Sequence, residues 1–243
     1  MKRLFGIAAL LAALVACSDP APSGDAAPLI ESDPVVLPEQ FAVRRCAHVE
    51  AGRGCLIVQA GGKVLVFGAP EGAADSLDAI DAPVPDAVFV ATLSPDELEG
   101  LARIRNQSWL AGRTTLLPVI GPEGIAVFTA GIDDAFARSD AKVYLEHRPP
   151  GTFDTALMAA REIPPASRGG AFDTGDLRVD AIASPGSGIT FVVRYGGAAL
   201  QISACGEDAV APQGIVVTLS LSCEAQRDPA AWPGAGNVVF VGN

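Results

Sequence analysis

Histidine is nearly missing from this chain: its 243 residues contain two, His48 and His147. A catalytic zinc centre draws about three ligands from the protein and keeps an open position for water, so two imidazoles cannot furnish a conventional one. Covalent catalysis meets the same shortage. Ser203, Cys205 and Ser220 offer hydroxyl or thiol groups, but no histidine stands in the sequence where it would activate them. Basic charge is short as well, with 17 Lys and Arg against 28 Asp and Glu, a net charge of −11. A chain this acidic is repelled by phosphate backbones, which excludes nucleic acid as a partner. No close Cys-x-x-Cys pair is present to anchor a structural zinc. The turn Gly68-Ala69-Pro70-Glu71-Gly72 lacks the lysine and hydroxyl of a phosphate-binding loop.

What the chain does contain begins with an export segment. Lys2 and Arg3 precede an apolar run from Leu4 to Ala16, interrupted only by Gly6. The run is short of the ~20 residues that span a bilayer and suits a secretory signal. Its ending, Leu14-Val15-Ala16-Cys17, resembles a bacterial lipoprotein cleavage box and implies lipidation of Cys17. Ser18 in the next position resembles the pattern that permits sorting to the outer membrane. The expected location is therefore the cell envelope, lipid-anchored, at the outer membrane facing the periplasm. Removal of residues 1–17 takes away two positive charges and no acid, so the mature chain is more acidic still. Residues 18–38 are rich in Ala, Pro, Ser, Gly and Asp, bury too little to offset the entropy of ordering, and read as a flexible tether. Residues 39–243, about 205 in number, suffice for one substantial core.

With Cys17 assigned to lipid, Cys46, Cys55, Cys205 and Cys223 remain, an even number in an exported chain. Cys46 and Cys55 flank a segment that could form the turn of a hairpin, and Cys205 and Cys223 follow apolar strands. Local pairing, 46 with 55 and 205 with 223, is the expectation, although three connectivities are open.

Hydrophobic patterning predicts a hairpin of Cys55 to Gln59 and Lys63 to Phe67 around Gly61-Gly62. Further strands are expected at Asp86 to Ala91, Leu116 to Ile120, Val143 to Leu145, Leu177 to Ile182, Ile189 to Tyr195, Ala199 to Ser203, Ile215 to Ser220 and Val238 to Val241. Several are almost continuously apolar, as strands covered on both faces are. Helices are expected over Pro95 to Leu110, Gly124 to Arg138 and around Leu157 to Ala160. Strands in two clusters with a few helices between them favour an α/β or α+β sandwich over an all-β barrel.

Several segments, in order, resemble the metallo-β-lactamase superfamily, in particular its ribonuclease Z-like and arylsulfatase-like branch. Gly61 to Gly72 is similar to that fold's second strand and glycine-rich turn, with Gly68 where an aspartate commonly stands. Phe89 to Leu101 resembles its strand, metal-binding loop and helix. Ser108 to Arg113, Leu117 to Gly124, and Tyr195 to Cys205 resemble later parts, the last with Cys205 in place of a metal-bridging aspartate. The resemblance spans residues 53 to 243 and implies an αββα sandwich of two mixed sheets flanked by helices. In active relatives a His-x-His-x-Asp-His motif holds two metal ions, usually zinc. Here that motif reads Thr92-Leu93-Ser94-Pro95-Asp96-Glu97, with Asp96 alone retained. The stretches Asp180 to Gly186 and Val241 to Asn243, where further histidines would fall, contain none.

The altered loop also has a local reading. Ser94 can cap a helix, Pro95 fits its first position, and Glu97 completes a Ser-x-x-Glu capping box, with both acids offsetting the helix dipole. Leu98, Leu101 and Ile104 would form the inward stripe. Trp109 and Trp232 are read as packing rather than as a ligand wall. The sequence thus predicts no catalytic residue, no metal ligand and no cofactor. Its expected role is a non-catalytic, lipid-anchored envelope protein that binds a small molecule or a protein partner. The alternative is a metal-dependent hydrolase of ester, phosphodiester or lactam substrates with an atypical, carboxylate-based site, and zinc is expected only in that case.

Overall fold

Strand patterning with both faces buried builds the centre of the molecule. A computed structural model describes residues 34–50, 52–184, 188–204, 214, 217–221 and 238–242. Its strands are β1 (Ala42–Arg45), β2 (Leu56–Ala60), β3 (Lys63–Phe67), β4 (Ala87–Phe89), β5 (Leu117–Pro122), β6 (Met158–Ile163), β7 (Arg168–Asp173), β8 (Arg178–Ala183), β9 (Ile189–Tyr195), β10 (Ala198–Ala204), β11 (Val217–Leu221) and β12 (Val238–Phe240). The helices are α1 (Ala73–Asp78), α2 (Pro95–Leu98), α3 (Leu101–Leu110) and α4 (Ile125–His147), with a 3-10 turn at Phe153–Ala156. None of the described helices is long and apolar enough to cross a membrane.

Seven strands form one sheet in the order β12-β1-β2-β3-β4-β5-β6, and five form a second, β11-β10-β9-β8-β7. Both are mixed. In the first, β3 to β6 run parallel and the rest antiparallel. In the second, only β10 and β11 are parallel. Successive side chains on a strand point to opposite faces, and here each face meets a different partner. Leu65, Phe67, Ala87 and Phe89 enter the core between the sheets, whereas Val66 and Val88 face a second core beneath the helices. This explains the near-continuous apolar runs of β2, β3 and β4. Phe67 and Phe89 stack with centroids 4.6 Å apart, and both meet Phe191 of the opposite sheet edge-on, at 5.6 and 5.3 Å. Each fully buried phenyl ring contributes roughly 1.5–3 kcal/mol, so this trio is a principal bond between the layers.

The helices supply the second core from the other side of the seven-stranded sheet: Ala73, Ala74 and Leu77 of α1, Leu98 of α2, Leu101 and Ile104 of α3, and Ile125 of α4. The expected helix from Pro95 to Leu110 is broken in two at Glu99-Gly100. Gly100 sits so close to the preceding turn that a Cβ there would lie 2.0 Å from the Pro70 carbonyl oxygen, and its N–H donates to Ala69 O at 2.7 Å. Helix α4 extends past Arg138 to His147 and absorbs Val143 to Leu145, so that segment is not a strand. Leu145 is exposed there, and its β-favouring neighbours simply lie on the helix. Leu157 to Ala160 is likewise not a helix, because Met158 to Ile163 pairs in parallel with all six residues of β5. Strands β1 and β7 carry arginines and glycines in place of an apolar run, which hid them from patterning.

A candidate site at the mouth of the sandwich

The carboxyl end of β4 opens into the loop Ala91 to Ser94, the place where parallel strands usually present ligand-binding groups. Ser94 is the residue before α2 and Pro95 takes the first helical position, as expected. The capping box does not form, however: the Ser94 side chain makes no capping hydrogen bond. Glu97 turns away from the helix terminus and into the protein, where it is 1% exposed. Its Oε2 accepts from the N–H groups of Ala91 at 2.8 Å and Thr92 at 3.1 Å, and its Oε1 accepts from the Thr92 hydroxyl at 3.0 Å. Thr92 Oγ1 accepts in turn from Ser94 N at 3.2 Å. The reason is one of supply. The end of β4 leaves buried amides without strand partners, and such amides need an acceptor more than the exposed helix start does.

Burial pushes the Glu97 carboxyl above its ordinary range, an effect that the donors on Thr92 and Ala91 offset only in part. Asp96, next to it, points outward. It lies 3.9 Å from Arg53 on the loop between β1 and β2, in a surface cluster where Arg53 also pairs with Glu50 and Glu99. The structure therefore brings Thr92, Ser94 and Glu97 together and sends Asp96 elsewhere.

The opposite wall of the mouth is close-packed. Gly188, which leads into β9, donates no side chain, and a Cβ there would stand 2.5 Å from Ala204 Cβ and 2.9 Å from Thr92 Cγ2. Ile189 N donates to Ala91 O at 2.9 Å and ties the two sheets together at this point. Gly68, which stands where the resemblance implies an aspartate, has φ +75°, and a Cβ there would come within 2.1 Å of the Gly54 carbonyl oxygen. An aspartate does not fit this backbone.

A transition metal does not fit these residues. Glu97 spends both oxygens on internal donors, Thr92 and Ser94 are hydroxyls, and Asp96 points away to the exposed surface, 3.9 Å from Arg53. Among the described residues no three His, Cys, Asp or Glu groups are arranged to hold a metal. Both histidines are exposed, His48 on the loop between β1 and β2 and His147 as the last residue of α4. Ser203 is buried in β10. Cys46 and Cys55 are bonded to each other across the β1–β2 loop, as expected. That loop docks on α1, with His48 N donating to Ser76 Oγ at 3.0 Å. Cys17, Cys205, Cys223, Trp232 and Asn243 lie outside the described residues.

Sequence reading missed a second polar knot, on the helix side. Arg105 of α3 is fully buried and donates through Nε to Asp133 at 2.6 Å and through Nη2 to Asp140 at 2.6 Å, both on α4. Asp133 Oδ2 accepts from Met158 N at 3.1 Å, which extends the knot to β6. Arg113 stands behind it, donating to Ser108 Oγ at 3.0 Å. Burial, with Arg105 nearby, lowers its pKa to about 10. The signal was present in the sequence: position 105 lies four residues after Leu101, on the inward face, and a charge there demands a partner.

No family model and no curated protein matches this sequence. Solved structures do match its fold. Human tRNase Z, short form, superposes with a TM-score of 0.50 at 17% identity, over 67% of this chain and 68% of that one. The metallo-β-lactamase fold protein YhfI from Bacillus subtilis gives 0.45 at 13% identity, over 68% and 62%. Zinc-bound PqqB from Methylobacterium extorquens gives 0.42 at 14%, over 67% and 62%. At these identities the likeness speaks of architecture alone. Two mixed sheets, helices packed on the outer face of the larger one, and an altered loop after β4 give this chain a metallo-β-lactamase-type sandwich.

Proposed function

We propose that this chain is a non-catalytic member of the cell envelope, anchored by lipid at Cys17, that uses a degenerate metallo-β-lactamase-type scaffold to bind a small molecule or a protein partner. The observation that carries this reading is the inward turn of Glu97. A carboxylate at a motif position is consumed in satisfying Ala91 and Thr92, so the loop is organised by the protein's own hydrogen bonds where relatives use metal. Packing and catalysis draw on different residues, and a fold persists after its chemistry has gone. The export reading rests on the charge and apolar pattern of residues 1–17.

Two measurements test it. Purified full-length chain, supplied with zinc, iron or manganese and then freed of excess, is expected to retain no stoichiometric metal by mass spectrometry and to turn over no ester, phosphodiester or lactam. Stoichiometric metal with turnover that disappears in Glu97→Gln would establish the hydrolase instead. For the anchor, Cys17→Ser is expected to move the protein from the membrane to the soluble fraction; membrane retention of that variant would sink the lipid assignment.

A further inference from the structure

The outer face of the five-stranded sheet gathers positive charge that the acidic composition of the chain would not lead one to expect. Arg178 of β8 and Arg194 of β9 are directly opposite each other across the strand pair. Like charges so placed repel. Arg168 of β7 stands opposite Ile182 on the same face, and the three arginines line a cavity of about 230 Å³ with Gly169, Asp180, Ile182 and Val192.

The arrangement is built rather than incidental, on three counts. First, Asp180 sits between two of the cations and takes the Nε of each, Arg178 at 2.8 Å and Arg194 at 3.7 Å. The hydrogen bond from Arg178 Nε orients that guanidinium, Arg194 is held by charge alone, and the Nη atoms of both keep no partner among the described residues. Second, the Arg168 side chain has no ion pair or hydrogen bond among the described residues. Third, β7 is an edge strand that carries two successive glycines beside the arginines. Gly170, opposite Asp180, is the glycine on the arginine face, and a Cβ there would point at Arg178 Nη2 from 3.7 Å, whereas Gly169, opposite the buried Ala181, turns to the other face. Glycine weakens a strand interior and often marks the close approach of another group. Here it leaves room at the charged wall, while Val192, fully buried, forms an apolar base. The other acid near this face, Asp173, stands opposite Arg178 at the far end of β7 and uses Oδ1 to accept from Gly175 N.

We propose that this face is an oxyanion site that takes one phosphate group. Guanidinium forks bind phosphate oxygens in pairs, and three forks against the two carboxylates of Asp180 and Asp173 leave a local excess of positive charge for an anionic guest. The cavity is smaller than the ~300–1,000 Å³ of pockets that enclose a whole ligand, so it grips a headgroup and leaves the remainder of the molecule outside. The phosphate can belong to a soluble phosphate ester or to a phospholipid. The site shares no residue with the loop after β4, so metal or turnover found there leaves this proposal standing.

Calorimetric titration of the full chain with inorganic phosphate at low ionic strength is the first test, on the wild type, on Arg168→Gln, Arg178→Gln and Arg194→Gln, and on the triple variant. Saturable one-site binding is expected, weakened about tenfold by each single change and lost in the triple. Lys142→Gln, on the distant surface of α4, should bind as the wild type does, and unchanged thermal midpoints show that the variants are folded. Flotation of the Cys17→Ser chain with phosphatidylglycerol or phosphatidylcholine vesicles then separates the sources. Flotation with phosphatidylglycerol alone, abolished in the triple variant, identifies a lipid headgroup. Phosphate binding without flotation identifies a soluble ester. The absence of both, or binding that survives in the triple variant, overturns the proposal.

Discussion

Two carboxylates are buried in this protein to nearly the same degree, Glu97 at 1% exposure and Asp140 at 3%, and they are kept there by different means. Asp140 faces a cation. Arg105 lends it two guanidinium nitrogens, at 2.6 and 3.3 Å, and lends a third to Asp133. Glu97 faces only dipoles, two backbone amides and one hydroxyl. A charge opposite a charge is a clamp: it fixes α3 against α4, and neither partner survives the loss of the other. A charge opposite dipoles is poised, since its proton can return when solvent conditions change. Burial raises the Glu97 carboxyl above its ordinary range, and the donors on Thr92 and Ala91 offset this only in part.

The largest test of this contrast is to remove the cation from the clamp. Arg105→Met keeps the volume of the side-chain stem and leaves Asp140 buried, and Asp133 partly so, without the guanidinium that pairs with both, a loss of about 3–5 kcal/mol. Urea unfolding should show the extrapolated free energy fall by that amount, through a lower midpoint with the slope unchanged. A variant that loses less than about 1 kcal/mol would mean that water reaches the aspartates and that the clamp behaves as a surface pair. The corresponding change at the mouth, Glu97→Ala, takes the acceptor from two amides and a hydroxyl but strands no charge. It should cost about 1–3 kcal/mol, less than Arg105→Met. If it cost more, the mouth and not the helix clamp would be the stiffer of the two.

The same contrast explains what could be read from the sequence. Strands with both faces buried announce themselves, because Leu65, Val66 and Phe67 are apolar whichever way they point. The two-sheet architecture, the Cys46–Cys55 bond and the inward stripe Leu98, Leu101, Ile104 were legible for the same reason: each depends on residue type and short spacing. The direction of Glu97 was not. Ser94-Pro95-Asp96-Glu97 satisfies every local rule for a capping box, and only the tertiary fact that Ala91 and Thr92 end a buried strand draws the carboxylate inward. Strand β7 was invisible in turn because Gly169 and Gly170 contribute no side chain to any pattern, and its partner β8 supplies the register. Helix α4 outran its expected end because Asp133 and Asp140 look like surface acids until Arg105 is placed between them. Composition and period carry the layers, then, and partner choice among polar groups is settled by distances of 28 and 35 residues along the chain.

The smallest change is the most diagnostic. Glu97→Gln preserves shape: the amide oxygen can accept from Ala91 and Thr92, and the amide nitrogen can donate to Thr92 Oγ1. Its effect on stability at low pH should therefore be under about 1 kcal/mol. The difference lies in pH dependence. The folded state holds the Glu97 proton more tightly than the unfolded chain, whose value is the ordinary 4.5. In the window between that value and the raised folded one, the native protein binds more protons than the unfolded chain, so stability falls as pH rises. The contribution is complete below pH 4.5, where both states are protonated, and is lost as pH climbs through the folded value. Wild-type unfolding free energy measured across this window should slope downward relative to the variant, and Glu97→Gln should remove that component while Arg105→Met leaves it in place. Parallel profiles for wild type and Glu97→Gln would show that the amides and hydroxyl hold the carboxylate ionised as firmly as a cation does, and the distinction between clamp and poise would collapse.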